Sequence, residues 1–334
     1  MTEIRSFCNA DLPGLLDVWI RHWSAVGHPP AVSVPMIEQS VLSRTFFDAS
    51  TLKVAYGENG QVEAWAHFLP DRDQAADEQV NSLDGDGREN QDRTAILAAI
   101  CFDTAGGLAA CDRLLSEVES AARDAGFTRL EIGPLRDKVC GYAGLSPIGH
   151  GIGVPNYDAR TTSLLSRRGY EPRETVISYC VTTNTYRPPV GRESLQLRRS
   201  TRIECFDIYP RTARQASAMA HLNLERHQLI EHRTGTVLAE IGLWTSDPEA
   251  QVMDCAKAIL DLCSPIRSSE DKATETDLAA EAYLIGSVMQ GLPNRRIFEV
   301  ETSVDADDMS RVGQLEALKF VVTEQGQRWQ KNLA

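Results

Sequence analysis

The chain has 334 residues, of which 42% are hydrophobic and 24% are charged, and its formal net charge is −13. This length predicts two domains, and the acidic balance argues against a nucleic-acid-binding protein, which normally carries a basic excess. No apolar run approaches the roughly 18 residues of a membrane helix, and no secretory signal is visible at the start, so we expect a cytoplasmic protein without a membrane partner.

The first half of the chain alternates helical and extended patterns. Apolar spacing predicts helices, and the dipeptide Asn59-Gly60 between two apolar runs predicts a β-hairpin. Glycines at the ends of helical patterns mark their C-termini. The predicted elements, in order, are helices over 10–23 and 35–47, a hairpin over 51–70, a strand over 95–102, a helix over 107–125, a strand over 128–135, a helix over 158–170 and a strand over 175–183.

Two segments of the first half have unusual composition. Residues 71–94 carry eight acidic and three basic side chains with almost no apolar content, which predicts a mobile acidic insertion. Its "DGDG" offers oxygen ligands but lacks the spacing of a calcium loop. The eight cysteines form no C-x-x-C pair, so we expect no metal. Residues 141–157 form a glycine-rich loop.

The second half repeats the order of the first. After a Pro/Gly-rich linker over 186–194, the pattern predicts a hairpin, strand, helix, strand, helix and strand, which is a repeat at domain scale. The predicted domains are therefore 1–185 and 195–334. The elements lie over 227–244, 256–264, 277–291, 296–303, 307–320 and 321–329.

With these elements in place, the sequence resembles tandem GCN5-related N-acetyltransferase (GNAT) proteins. The resemblance is carried by "GENGQVEAWAHF", "AACDRLLSEVESAARDAGFTRLEI" and "LLSRRGYEP" in the first half and by "RTGTVLAEIGLW", "IFEVETS" and "LEALKFVV" in the second. It implies an α/β (α+β) fold of two GNAT-like domains, each a mixed, mostly antiparallel sheet flanked by helices. It also implies acetyl-CoA as cosubstrate and a small-molecule or peptide amine as acceptor.

The resemblance also implies where acetyl-CoA binds. In the family, the strand before the long helix binds the acyl arm, which here points to Ile100, Cys101 and Phe102. The start of that helix holds the diphosphate on backbone amides. The matching window consists of Gly106, Gly107, Leu108, Ala109, Ala110 and Cys111. The second copy places Glu275 and Asp277 at the equivalent helix start, and carboxylates there would repel a diphosphate.

Catalytic candidates follow from the chemistry of amide formation, which needs an amine nucleophile, a polarised carbonyl and a protonated leaving thiolate. His67 and the neighbouring Glu63 are candidate bases in a hairpin strand. Tyr142 and His150 both lie in the glycine-rich loop and could reach a cleft. Cys140 with His150 matches no nucleophile motif that carries over between protein families.

The family's general acid is a tyrosine, and both positions that match it are leucine, Leu165 and Leu315. Two hypotheses therefore stand. In the first, the N-terminal domain is an acyl-CoA-dependent N-acyltransferase. In the second, the chain is a catalytically inactive acyl-CoA-binding or assembly module. The acceptor amine and the oligomeric state stay open at this point.

Overall fold

A computed structural model describes residues 3–70, 93–104, 106–133, 141–210, 212–262 and 275–333. The chain divides into two compact units. Unit 1 consists of Met1–Val176, Thr212–Met219 and Gln325–Ala334, and unit 2 of Ile177–Arg211 and Ala220–Glu324. Most of the insertion, 71–92, lies outside the described residues, so its predicted mobility stays a prediction. None of the described helices has the length and apolar character needed to cross a membrane.

Unit 1 contains a mixed, mostly antiparallel sheet with the strand order β1-β2-β3-β4-β5-β13, and β6 pairs with β13. The strands are β1 (Glu3–Ser6), β2 (Leu52–Tyr56), β3 (Val62–Pro70), β4 (Thr94–Phe102), β5 (Arg129–Ile132), β6 (Val154–Pro155) and β13 (Val321–Asn332). The helices are α1 (Leu12–Ala25), α2 (Val34–Ile37), α3 (Gly107–Asp124), α4 (Ala159–Arg167) and α6 (Ala213–Ala218).

Two helices cover opposite faces of this sheet. Ala64 and Ala66 of β3 pack in one cluster with Leu114 of α3. The residue between them, Trp65, instead points to α1, where its Nε1 donates to the carbonyl oxygen of Leu15 at 3.1 Å. Because neighbouring residues of a strand point to opposite faces, α1 and α3 must lie on opposite sides of β3. All nine residues of β4 are buried between these layers.

Unit 2 repeats this plan with the order β7-β12-β11-β10-β9-β8. In each unit one neighbouring pair is parallel, β4 with β5 and β11 with β12, as expected for strands joined through a crossover helix. The elements are β7 (Glu171–Thr182), α5 (Arg192–Ser200), β8 (Thr201–Asp207), β9 (Leu222–Glu231), β10 (Val237–Ser246), β11 (Lys257–Asp261), α7 (Glu275–Gly291), β12 (Glu299–Asp305) and α8 (Met309–Ala317).

The closing helices of the two halves show the repeat at atomic level. The Asp158 side chain accepts from the Thr161 amide to cap α4, and Asp308 caps α8 in the same way through Arg311. Leu165 and Leu315 are fully buried in the two cores. The predicted fold class, two domains with mixed, mostly antiparallel sheets flanked by helices, is confirmed.

Three details differ from the sequence-based expectation. The helix predicted over 35–47 is instead the short α2 followed by a π-helical turn, Glu38–Leu42, because the Ser40 hydroxyl donates to the Met36 carbonyl oxygen and competes with regular helix bonding. Helix α5 begins at Arg192, inside the predicted linker. Residues 212–219 and 325–334 belong to unit 1, although both lie in the predicted C-terminal domain.

Candidate active site at the divergence of β4 and β5

The site begins where two parallel strands separate. β4 and β5 are paired from Thr94 opposite Arg129 to Leu97 opposite Ile132, and within the described residues, which stop at Gly133 and resume at Gly141, the pairing ends there. On its other side β4 has an irregularity, because Phe68 pairs with Leu97 and His67 with Ala99, which leaves Ala98 without a partner on β3. This is a β-bulge, a feature that bends a strand away from its neighbour and is frequent beside active sites.

A small cavity occupies this divergence, and we call it the splay cavity. Its volume is about 30 Å³, which is room for about two water molecules. Its wall includes Ala98 and Ile100 of β4, Ile132 of β5 and Thr161 of α4. The Thr161 hydroxyl is buried and has no hydrogen-bond partner among the described residues, so it can serve a ligand in the cavity.

The amide groups of β4 alternate between the two edges of the strand. The Asp103 amide donates to the Glu63 carbonyl oxygen on β3 at 2.8 Å, so the Cys101 amide, two residues earlier, also faces β3. The amides of Ile100 and Phe102 therefore face the other edge, beyond the last β5 residue paired with β4. Phe102 is already paired there with His22, which leaves the Ile100 amide as a donor beside the splay cavity.

His22 and Asp158 form a buried pair next to the splay cavity. His22 Nε2 lies 3.0 Å from Asp158 Oδ2, and the two side chains are 0% and 1% exposed. His22 Nδ1 lies 3.2 Å from the amide nitrogen of Phe102. Although burial alone would raise the pKa of Asp158, the hydrogen bond and charge of His22 and the bonds from Thr161 lower it, so the carboxyl is ionised.

No sequence motif marks His22 as a site residue, and Asp158 stands only at the start of the helix predicted over 158–170. The two residues are 136 positions apart and share no motif, so only the fold brings them together. A second ion pair at this end of the sheet is also long-range, with Arg21 Nε 3.1 Å from Asp103 Oδ2.

The predicted catalytic residues fall into two places. His67 Nδ1 lies 2.9 Å from the Tyr142 hydroxyl, and both side chains are buried on the α1 face of the sheet. Burial lowers the pKa of His67 to about 3, against an opposing effect of the Asp48 charge, so this imidazole is neutral. Glu63 lies four residues away along β3, which is about 13 Å at 3.3 Å per residue, and does not join this pair.

Glu63 instead lies beside the predicted diphosphate loop. A Cβ built on Gly106 would be 3.5 Å from Glu63 Oε1, so the carboxylate faces the start of α3. A Cβ on Gly107 would come within 2.8 Å of the Glu63 backbone oxygen. Gly107 therefore permits close contact between the start of α3 and the end of β3, a packing role that exists whether or not a phosphate binds.

Three more residues of the predicted diphosphate window lie in the first turns of α3. Ala110 and Cys111 are fully buried in the α3 core, whereas Leu108 is exposed. Burial also raises the pKa of Cys111, which keeps the thiol protonated and unreactive. Cys140 and the His150 side chain lie outside the described residues. Residues 263–274, which precede α7, also lie outside them, so the second predicted diphosphate site is described only from the first residue of α7 onward.

One group of side chains in unit 2 has the types and spacing of metal ligands. Cys205 Sγ and Glu225 Oε2 lie 3.9 Å and 3.3 Å from His227 Nε2. However, both Glu225 oxygens already accept hydrogen bonds from Arg295, at 2.7 Å and 2.5 Å. The guanidinium charge opposes a cation at this position, so the group is better described as an ion-paired cluster.

Comparison with known proteins agrees with this architecture. No protein-family model and no curated protein matches the sequence. Solved structures do match, among them a GCN5-related N-acetyltransferase from Sphaerobacter thermophilus (12% identity, TM-score 0.60, covering 99% of this chain and 96% of that one). A tandem GNAT protein from the clavulanic acid biosynthesis pathway has 13% identity and a TM-score of 0.60, covering 100% and 99%.

A third match is the glucosamine N-acetyltransferase region of a fungal multi-domain GH3 β-N-acetylglucosaminidase, at 12% identity and TM-score 0.67. The match covers 99% of this chain and 38% of the fungal protein. The chain therefore has the tandem GNAT fold, and the resemblance stated from the sequence is confirmed at the level of fold.

Proposed function

We propose that unit 1 is an acyl-CoA-dependent N-acyltransferase that transfers an acetyl group from acetyl-CoA to an amine, with the splay cavity as its reaction site. The observation that carries the proposal is the β-bulge at Ala98 together with the end of β4–β5 pairing at Leu97. Among the described residues, this combination leaves the Ile100 amide without a strand partner on that edge, beside a cavity, in a fold shared with N-acetyltransferases.

Two donors at the splay cavity suit the thioester carbonyl. The Ile100 amide and the Thr161 hydroxyl would donate to the carbonyl oxygen, on which negative charge develops as the amine attacks. The C–N bond then forms, the C–S bond breaks, and the proton lost by nitrogen ends on the CoA sulfur. The net reaction therefore needs no additional acid, which is consistent with leucine at positions 165 and 315.

The His22–Asp158 pair has a positioning role in this proposal. Asp158 accepts from the Thr161 amide at 3.1 Å and lies within the wall of the splay cavity, so it holds the first turn of α4 and with it the Thr161 hydroxyl. His22 in turn fixes Asp158 and occupies the Phe102 amide, so that Ile100 is the backbone donor in reach.

The size of the splay cavity favours an acetyl group over longer acyl chains. A volume of about 30 Å³ accommodates the two heavy atoms beyond the carbonyl oxygen far better than an alkyl chain. The CoA diphosphate would lie at the start of α3, where Gly106 is exposed and no side chain caps the helix.

Isothermal titration calorimetry with acetyl-CoA, followed by release of CoA thiol in the presence of an amine panel, tests the proposal. Thr161→Val removes the hydroxyl with little change of volume and should lower kcat by about 100-fold, as for loss of an oxyanion donor, while acetyl-CoA affinity is retained. The matched control is Thr162→Val, one position along the helix. Absence of acetyl-CoA binding would refute the proposed function, and full kcat in Thr161→Val would refute the role of Thr161.

Two observations favour the alternative of a non-catalytic acyl-CoA-binding module. Glu63 faces the helix start on which the diphosphate would lie, and Leu165 leaves no phenol to serve the thiolate. This alternative expects acetyl-CoA binding without thiol release for any amine. Turnover above the rate in the absence of protein would exclude it.

A further inference from the structure

A second cavity lies on the α1 side of the unit 1 sheet, at the far end of β3 from Glu63. We call it the arginine cavity, and its volume is about 30 Å³. The polar groups in its wall come from three separate segments of the chain. They are Ser40, Arg44, His67, Arg214 and Ser217.

Both arginines of this cavity lack an acidic partner among the described residues. Arg44 Nε donates to the Ser40 carbonyl oxygen at 3.3 Å, and no carboxylate of the described chain contacts its guanidinium. Arg214 lies over the Phe46 ring, 5.7 Å from its centroid, and likewise has no carboxylate contact within the ranges described. Burial lowers the pKa of Arg44. Two arginines at one cavity without a contacting carboxylate among the described residues are unusual in a chain whose net charge is −13.

The third polar group is the imidazole of His67. This side chain is 1% exposed, its Nδ1 is paired with Tyr142, and its Nε2 has no partner among the described residues. A buried polar atom without a partner is unfavourable, and a ligand in the cavity that accepts from it would relieve this. When Nδ1 accepts from the Tyr142 hydroxyl, Nε2 carries the hydrogen and becomes a donor.

The arginine cavity is adjacent to the reaction site across the sheet. His67 on β3 is paired with Ala99 on β4, and Ala99 belongs to the wall of the splay cavity. Paired residues of antiparallel strands have Cα atoms about 5 Å apart. The walls of the two cavities therefore include residues on directly paired positions of neighbouring strands.

We propose that the arginine cavity binds a carboxylate of the acceptor, so that the acceptor is an amino acid or another amine that carries a carboxylate. The assignment of this carboxylate to an acceptor rests on the proposed N-acyltransferase function. Arg44 and Arg214 supply the positive charge and His67 Nε2 supplies a third donor. Arg214 lies on α6, so a segment from the second half of the sequence completes a site of unit 1.

The chemistry of the wall favours a carboxylate over a phosphate. A guanidinium forms two parallel hydrogen bonds with either anion, but a cavity that holds about two waters matches the two oxygens of a carboxylate better than the four of a phosphate. A phosphate has a further oxygen for which the described wall offers no additional charged donor.

Direct binding can be measured without any acyl transfer. We would titrate the full chain with sodium acetate at constant ionic strength and follow the His67 ring nitrogens by ¹H–¹⁵N NMR. Saturable shifts of the His67 signals are expected, with inorganic phosphate binding more weakly and chloride without saturation. No saturable acetate effect at His67 would overturn the proposal, and phosphate binding tenfold tighter than acetate would overturn the carboxylate assignment.

Variants connect the signal to the two arginines. Arg44→Gln and Arg214→Gln should each weaken acetate binding by about tenfold, the loss expected for one charged hydrogen bond. Arg123→Gln on the exposed end of α3 is the matched control and should leave it unchanged. The wild-type titration can refute the proposal by itself, so the test remains valid even if one of the variants fails to fold. The proposal would be overturned if Arg44→Gln and Arg214→Gln bound acetate as tightly as the control Arg123→Gln.

A kinetic comparison separates this proposal from the proposed function. Arg44→Gln should raise KM for amino acid acceptors by about tenfold and leave KM unchanged for amines of similar size without a carboxylate, with kcat retained. If acetate binds at His67 but no acetyl transfer occurs, the N-acyltransferase function fails while the carboxylate site stands. If transfer occurs with no preference for carboxylate-bearing amines, the acceptor assignment fails while the function stands.

Discussion

His22 Nε2 lies 3.0 Å from Asp158 Oδ2, and both side chains are buried at the divergence of β4 and β5. Asp158 also caps α4, so Asp158→Ala removes a helix cap and leaves a buried imidazole without its partner. We expect the free energy of unfolding to fall by about 3 kcal/mol, as for other broken buried pairs. Urea denaturation followed by circular dichroism measures this.

The repeat supplies a matched control for that substitution. Asp308 caps α8 as Asp158 caps α4, but its side chain is exposed and has no buried histidine beside it. Asp308→Ala should therefore cost about 1 kcal/mol, the value for a cap alone. Equal losses in the two variants would show that the His22 contact adds nothing.

Glu119 is the centre of a second buried network that joins α3, the end of α4 and β13. Its carboxylate accepts from Arg168, Lys331 and the Tyr170 hydroxyl, at distances of 2.9–3.2 Å. Glu119→Ala removes this acceptor from Lys331 and the Tyr170 hydroxyl and leaves Arg168 with only Asp112 as an acidic partner, so it should lower the free energy of unfolding by about 3 kcal/mol. Glu117→Ala, on the exposed face of α3, should change it by less than about 0.5 kcal/mol, and a similar loss there would contradict the network's importance.

The same carboxylate contributes to acid sensitivity. Although burial alone would raise the pKa of Glu119, the hydrogen bonds and charges of Arg168 and Lys331 lower it. A group whose folded pKa is lowered stabilises the protein above its unfolded value of 4.5 and loses that contribution as pH falls through the folded pKa. Wild type should therefore lose more stability below pH 4.5 than Glu119→Gln.

The buried His67 imidazole predicts that the free energy of unfolding also depends on pH in a second range, which extends above that of Glu119. Burial lowers its pKa from 6.5 to about 3, so between these values the unfolded chain binds a proton that the folded chain does not. Stability should therefore rise with pH across this window, with a contribution of up to about 1.4 kcal/mol per pH unit. The charged groups near His67 are Asp48, Arg44 and Arg214.

His67→Phe removes the titrating group while keeping an aromatic ring between Phe47 and Tyr142. Its unfolding free energy, measured by urea denaturation at half-unit intervals from pH 4 to 7, should change less steeply than that of wild type. Parallel curves for the two proteins would show that His67 is protonated in the folded chain.

Glu63 provides a test of the diphosphate position. Its carboxylate faces Gly106 at the start of α3, where it would repel a bound diphosphate. Glu63→Gln keeps the shape, and we expect it to tighten CoA binding by about threefold, measured by calorimetry. Glu117→Gln removes the same charge from the middle of α3 and is the control. Unchanged affinity in Glu63→Gln would place the diphosphate elsewhere.

Local signals predicted much of the fold. Gly60 has a φ of +75° in the first hairpin and Gly235 has +72° in the second, as their turn patterns indicated. Gly126 and Gly169 end α3 and α4 with φ of +83° and +79°. These residues report on their own backbone, so a single sequence is enough to read them.

The site was less predictable because its contacts are non-local. His22, Asp158 and Phe102 meet only through the packing of α1 and α4 against the end of β4. Arg44 and Arg214 are separated by 170 positions along the sequence, and neither belongs to a motif. The helix predicted over 35–47 was wrong for a subtler reason, since the Ser40 side chain competes with regular helix bonding.

The assignment of residues 325–332 to the sheet of unit 1 has a consequence during synthesis. Trp329 to Asn332 pair with Ile132 to Arg129, so the edge of β5 stays open until nearly all of unit 2 has left the ribosome. An open edge next to a hydrophobic strand invites pairing with other chains. The N-terminal half expressed alone would keep that edge and lack Trp329 from its core, so the nascent chain should depend on chaperones for longer than its domain size alone would require.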